Sequence, residues 1–206
     1  NFLSEIAAKF YKLKPDNIIA VTGTNGKTSV ADLFYQILRI NKIPAASIGT
    51  LGIKYNDRLI KTNLTSPDTI SLHKSLHFLK KKKINNVIIE TSSHGLIQKR
   101  LHHIRFKGAI FTNFSQDHLD YHKNMKSYLN AKLILFRKIL RKKSTVISDR
   151  EIKQFPLIRN ITKKKNLRLL DITKESEKIK SNYSDYTSDF KIKNLAMAIK
   201  AVKICK

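Results

Sequence analysis

Short apolar runs rich in β-branched residues recur along this chain at helix-length intervals, and that alternation constrains the fold more than any other feature. The runs are "NIIAVTG" (17–23), "AASIGT" (45–50), "NVIIET" (86–91), "GAIFTN" (108–113) and "STVIS" (144–148). Each is too short for a helix and lacks a polar face, as a strand covered on both sides requires. Between them, residues 29–40 put Val30, Leu33, Phe34, Ile37 and Leu38 on one helical face. Residues 70–83 read as a helix ending in lysines, 123–142 as one long helix, 166–172 as a further strand and 190–204 as the last helix. Residues 150–185 carry the weakest pattern and are expected to form an irregular excursion. Strands alternating with helices predict an α/β fold, a mostly parallel sheet with helices on both faces. With no linker and no internal repeat, 206 residues make one domain.

In such sheets ligands bind beyond the carboxyl ends of the strands, so those ends are where function is sought. The first run passes directly into "TGTNGKTS" and then a helix. The common phosphate loop, G-x-x-x-x-G-K-[ST], would need a glycine at position 21, which is Val21. The strand–glycine–helix context nevertheless suits a phosphate: Gly23 and Gly26 allow a tight turn, and the helix start offers free N–H groups. Lys27 is then placed for the β/γ-phosphates and Thr28 for Mg²⁺. Glu90 closes another apolar run, where an isolated carboxylate is costly unless paired or metal-bound. "FTNFSQDHLDYH" (111–122) gathers Asn, Asp and His after a third strand. There His118 could ligate a metal or orient a carboxylate, while the acids alone could simply cap a helix. Lys132 lies among apolar residues of a helix, and periodicity alone reads it as a lysine snorkelling to solvent.

Composition narrows the class further. Forty-one Lys and Arg against 15 Asp and Glu give a net charge of +26, which raises nucleic-acid binding as an alternative. The cations are spread along the whole chain, clustering modestly at 80–83, 141–143 and 163–165, and there is no Trp to stack on bases. No specific nucleic-acid partner is therefore expected; the charge suits small polyanions such as nucleotides. A single cysteine excludes an internal disulfide framework. No apolar run reaches the ~18 residues of a membrane span, so no membrane partner and a cytoplasmic monomer are expected.

Together these stretches resemble the Mur ligase family. Its loop is written TGTNGKT[ST], which accounts for the shifted glycine. "TSPD" (65–68) is similar to the family's TTPD, and "ETSSHGLIQKR" (90–100) with "FTNFSQDHLDYHKNMKSYLNAKLILF" (111–136) resembles the branch that adds the third stem amino acid of peptidoglycan. "FKIKNLAMAI" (190–199) looks like the segment closing the family's central domain. The resemblance implies that Gly23, Thr24, Asn25, Gly26, Lys27, Thr28, Ser29 and Asn113 hold ATP. It implies Thr28, Glu90 and His118 as Mg²⁺ ligands, and Lys132 as a catalytic lysine carbamylated by CO₂ that joins the metal site. Thr65, Ser66, Ser92, Gln98 and Arg100 would touch the UDP-muramoyl dipeptide. Lys27 and His118 complete the implied catalytic set. The implied reaction is ATP-dependent amide formation through an acyl phosphate, with diaminopimelate or lysine as the incoming amine. The chain would be the central ATP-binding domain (1–206), without the UDP-binding and amino-acid-binding domains of the family, and such a fragment need not catalyse by itself. Alternatives are another ligase of this type, such as folylpolyglutamate synthase, or an ATP-binding module without ligase activity.

Overall fold

A computed structural model describes residues 2–62, 64–117, 119–183 and 188–205. Its centre is an eight-stranded sheet in the order β4-β3-β2-β5-β1-β6-β7-β8. The strands are β1 (Asn17–Thr22), β2 (Ala45–Gly49), β3 (Gly52–Tyr55), β4 (Arg58–Ile60), β5 (Asn86–Glu90), β6 (Gly108–Phe111), β7 (Thr145–Ser148) and β8 (Arg168–Asp171). All pairings from β2 across to β8 are parallel; β3 and β4 add an antiparallel hairpin at one edge. The mostly parallel sheet expected from the alternation is therefore present.

The side-chain period of two divides the sheet between two cores. Ile18, Ala20, Val87, Ile89, Ala109 and Phe111 face one side, where they meet α3 (Thr69–Lys81), α4 (Ser93–Ile97), α6 (Met125–Ile134) and α7 (Phe155–Lys165). Ile19, Val21, Ile88, Ile110 and Ile147 face the other, under α2 (Lys27–Ile40), α8 (Thr173–Tyr183) and α9 (Asp189–Cys205). Helix α2 buries Val30, Phe34 and Leu38, with Leu33 and Ile37 partly covered beside them, as its sequence predicts. Two shorter helices complete the order, α1 (Phe2–Phe10) ahead of β1 and α5 (Leu119–His122) after β6.

Three sequence expectations need correction. The long helix over 123–142 is broken: Lys123 has φ +57°, and the Asn124 side chain then caps α6 by accepting from Ser127 N at 2.8 Å. Helix α6 ends in a π-helical turn, Leu135–Ile139. The described part of 150–185 is not irregular: beside the strand expected at 166–172, which is β8, it contains α7 and α8. The hairpin β3–β4 was absent from the sequence reading altogether. Its turn residues Asn56 and Asp57 have φ of +44° and +60°, the left-handed pair of a two-residue hairpin loop.

Candidate nucleotide and metal site

Strand β1 is central, paired with β5 on one side and β6 on the other, with Val21 opposite Glu90 and Thr22 opposite Phe111. The register brings three carboxyl ends to one place. The loop after β1 turns through Gly23 and Gly26, with φ of +149° and +82°. Glycine is required at 23 on a second ground: a Cβ there would stand 1.9 Å from Thr112 Oγ1. The segment after β6 fastens the loop. Thr24 N donates to Asn113 O (3.0 Å), Asn25 N to Asn113 Oδ1 (2.9 Å), and Thr112 Oγ1 to Asn25 O (2.6 Å). Helix α2 then starts at Lys27, and its first turn has N–H groups without intrahelical partners. Together these give a rigid, glycine-shaped cradle facing a helix N-terminus, the arrangement that receives phosphates.

A cavity of about 260 Å³ opens over this loop, lined by Thr24 to Ser29, Thr50, Thr65, Ser92, Ser93 and Lys132. Glu90 is 2% exposed. It accepts from Thr28 Oγ1 (2.8 Å) and Thr50 Oγ1 (3.2 Å) through Oε2, and from Thr50 N (3.0 Å) through Oε1. Burial raises its pKa, and the hydrogen bonds from Thr28 and Thr50 oppose that rise. Lys27 Nζ donates to Gly23 O (3.0 Å) and Thr24 O (2.7 Å); burial lowers its pKa against the pull of Glu90 and Asp117.

Lys132 is 1% exposed, so it does not snorkel to water. Its Nζ donates to Gly23 O at 2.7 Å and sits 4.3 Å from the Tyr128 ring centroid. Burial, followed by the charge of Lys27, pushes its pKa down to about 7. A half-neutral amine at physiological pH is a nucleophile, which an ordinary lysine is not.

Thr65 and Ser92 line the same cavity, and Thr65 Oγ1 lies 3.2 Å from Thr50 Oγ1. Ser66 Oγ donates to Glu90 O (3.0 Å) and lies 3.2 Å from Ser92 Oγ. Arg100 and Gln98 stand one step further out: Arg100 Nη1 donates to Ser66 O (2.6 Å), and its Nε to Gln98 Oε1 (2.9 Å). His118 lies outside the described residues. Among those described, no three His, Cys, Asp or Glu side chains are grouped to hold a metal. The donors that are present still fit Mg²⁺, which takes one or two carboxylates and fills its remaining positions with water and phosphate oxygens. Thr28 and Glu90 supply one hydroxyl and one carboxylate, 2.8 Å apart.

Sequence reasoning missed several contributors. Thr50 acts partly through its backbone N–H, for which no sequence signal exists. Asn194 of α9 touches the loop, where a Cβ on Gly26 would come 2.7 Å from its Oδ1. The "KNLA" segment was noticed, but its contact with the loop was not. His122, buried, places Nε2 2.8 Å from Ser93 Oγ.

Fold and site thus define a parallel α/β phosphate-loop domain with a buried acid and a buried lysine at the loop. The family model for the Mur ligase middle domain matches residues 21–204, and the chain belongs to that family. It is 38% identical over 203 residues to the UDP-N-acetylmuramoyl-L-alanyl-D-glutamate–2,6-diaminopimelate ligase of Rickettsia bellii, covering 92% of this chain and 42% of the relative. A solved ligase of the same name superposes with a TM-score of 0.77 at 26% identity, over 97% of this chain and 45% of that one. A bifunctional folylpolyglutamate synthase/dihydrofolate synthase, solved with Mn, AMPPNP and L-glutamate, shares the fold at TM-score 0.64 and 16% identity, over 82% and 46% of the two chains. The chain spans less than half the length of these relatives. Among the described residues no helix is long and apolar enough to cross a membrane.

Proposed function

We propose that this chain is the ATP-binding central part of a ligase that joins a diamino acid to the D-glutamate of a UDP-muramoyl dipeptide. The observation that carries this reading is the convergence of Lys27, Thr28 and Lys132 on one cavity at the glycine loop, with Glu90 hydrogen-bonded to Thr28. The names of the relatives favour diaminopimelate as the amine.

In this reading the loop N–H groups and Lys27 hold the β/γ-phosphates, which reach a fixed position for attack by the substrate carboxylate. Thr28 and Glu90 would hold a magnesium ion, which when bound would neutralise phosphate charge; His118 stays in the proposed ligand set. Thr65, Ser66 and Ser92 orient the dipeptide, and Arg100, held by Gln98 and the Ser66 carbonyl, offers it a cation. Attack by the γ-carboxylate forms the new P–O bond as ADP leaves. The amine then forms the amide and releases phosphate. Domains for the UDP moiety and the amino acid are proposed to come from outside residues 1–206.

Lys132 is proposed to be carbamylated. Its ammonium would first give up a proton; the neutral amine would then attack CO₂, forming an N–C bond and releasing a second proton, so that a buried cation becomes an anion. The support is its burial together with a pKa near neutrality. The hydrogen bond to Gly23 O favours a second role for the unmodified form, as a tether for the loop.

The test is amide formation from UDP-muramoyl dipeptide, diaminopimelate and Mg-ATP by the ligase in its complete form. Activity lost in Lys27→Ala and Glu90→Gln is expected. Tight ATP binding with no amide product would instead mark an ATP-binding module. With ¹³C-bicarbonate at pH 8, a carbamate carbon signal absent from Lys132→Arg is expected; equal spectra would refute the modification.

A further inference from the structure

A cavity of about 550 Å³, roughly twice the one at the phosphate loop, opens at the opposite end of the sheet. It lies where three loops feed β1, β6 and β7, which the parallel register holds side by side. Lys107 N donates to Ile18 O (2.9 Å) and Thr145 N to Lys107 O (3.0 Å) across these strands. Each loop delivers cations to the rim: Lys14 from the first, Arg105 and Lys107 from the second, Arg141, Lys142 and Lys143 from the third. Pro15, Ile18 and Phe106, all buried, close the floor.

Among the described residues the rim holds one carboxylate, Asp16, and it is already engaged, 2.8 Å from Lys80. Lys107 Nζ finds the neutral Asn17 Oδ1 (2.8 Å), and Lys14 Nζ the carbonyl of Tyr11. Among the described residues, the side chains of Arg105, Arg141, Lys142 and Lys143 make no ion pair. Elsewhere in this basic chain carboxylates do reach the lysines: Lys193 has three, and Lys200 and Lys203 share Glu175. Burial pushes Lys14 down to about 8, and a bound anion would restore its charge. Like charges crowded around a concave, apolar-floored space raise the local potential and concentrate anions there.

We propose that this cavity is a second anion site, taking a small ligand that carries two or more phosphates. Its volume falls within the range of small-molecule pockets, about 300–1,000 Å³. Phe106 in its lining is 2% exposed and unavailable to stack on a base, which leaves the exposed His103 as the lining ring that could.

The probe is inorganic tripolyphosphate at 150 mM salt, in a Lys27→Ala background that weakens binding at the glycine loop. Backbone amides of 105–107 and 141–144 should shift and saturate in NMR titrations. The triple variant Arg105→Gln, Arg141→Gln, Lys142→Gln, all exposed residues, should weaken binding about tenfold or more. A control removes the same charge at exposed sites away from the cavity: Arg58→Gln, Lys61→Gln, Lys174→Gln. It should change affinity less than about twofold, as screened distant charges do. Equal losses in both triples, or shifts that never saturate, would show general charge attraction and overturn the proposal. Displacement of tripolyphosphate by duplex DNA, equally in both triples, would overturn it too. Unchanged melting temperatures keep misfolding from imitating the result.

Discussion

Lys27 and Lys132, on different helices, direct both their ammonium groups at one acceptor, the carbonyl oxygen of Gly23, at 3.0 Å and 2.7 Å. Burial is the larger cause that pushes Lys132 down to about 7, and the neighbouring charge of Lys27 adds to it; Lys27 is lowered by burial too, but Glu90 and Asp117 oppose the change. The pairing links the loop to α6 and makes the protonation of one lysine depend on the other.

The first prediction follows from the sign of that shift. Unfolded, Lys132 titrates near the ordinary 10.5; folded, near 7. Between those values the unfolded chain binds more protons, so Lys132 makes stability rise with pH from 7 to 9 and level off below 7. Lys132→Met should flatten that rise, the limit being ~1.4 kcal/mol per pH unit. Urea unfolding of both proteins at four pH values, without CO₂, measures it. Parallel stability curves would show that the lysine stays charged in the fold.

Lys27→Ala should keep the fold, because the side chain is half-buried and binds only loop carbonyls. Mg-ATP affinity should drop about 10- to 100-fold, the worth of a charge-assisted hydrogen bond. Calorimetry on the folded variant reads this directly, and an unchanged affinity would remove the loop from the nucleotide site.

Gly49→Ala tests the other wall. A Cβ at this position would stand 1.9 Å from Glu90 Oε1, so the carboxylate has to leave Thr28 and Thr50. A loss of about 1–3 kcal/mol, typical of overpacking, is expected, together with a weakened Mg²⁺ requirement for ATP binding. Denaturant unfolding and metal titration would check both; a fully stable variant with normal Mg²⁺ dependence would contradict the contact.

Lys193 of α9 bridges Asp149, Glu151 and Asp189 at 2.9, 2.5 and 3.2 Å. Asp149 is nearly buried at the end of β7, so Lys193→Met would strand its charge. Destabilisation of about 3 kcal/mol is expected, as when one partner of a buried pair is removed. A shift in thermal midpoint under 1 °C would show the network to be a solvated surface cluster, for which little effect follows.

What was legible in the chain was whatever depends on burial and type. Glu90 could be placed because an acid ending a run of Val, Ile and Ile has few places to go, and β5 does carry it into the site. Lys132 was misread by periodicity, which sends it to solvent; only the family resemblance singled it out, and nothing in the pattern pointed to Gly23, 109 residues away. Strand β8 was legible as the run at 166–172, whereas helices α7 and α8 beside it, near the sheet's edge, were missed. Half-exposed positions there carry polar residues, and the periodic signal fades. Hairpin β3–β4 escaped because no residue of β4 is buried, leaving only the Asn56–Asp57 turn as a clue. Contacts made by backbone, such as Thr50 N to Glu90, have no sequence signature.

The parallel pairing of β1 with β5 has a consequence for folding as well as for binding. Side chains alternate across the sheet, so a one-residue slip of β5 would move Glu90 to the opposite face and carry Ile89 into its place. The slipped chain would keep its secondary structure and much of its compactness, yet present a greasy wall to the phosphate loop. Nucleotide affinity therefore acts as a proofreader's mark: molecules retained on an ATP matrix in the presence of magnesium are those whose innermost strands have found their proper neighbours.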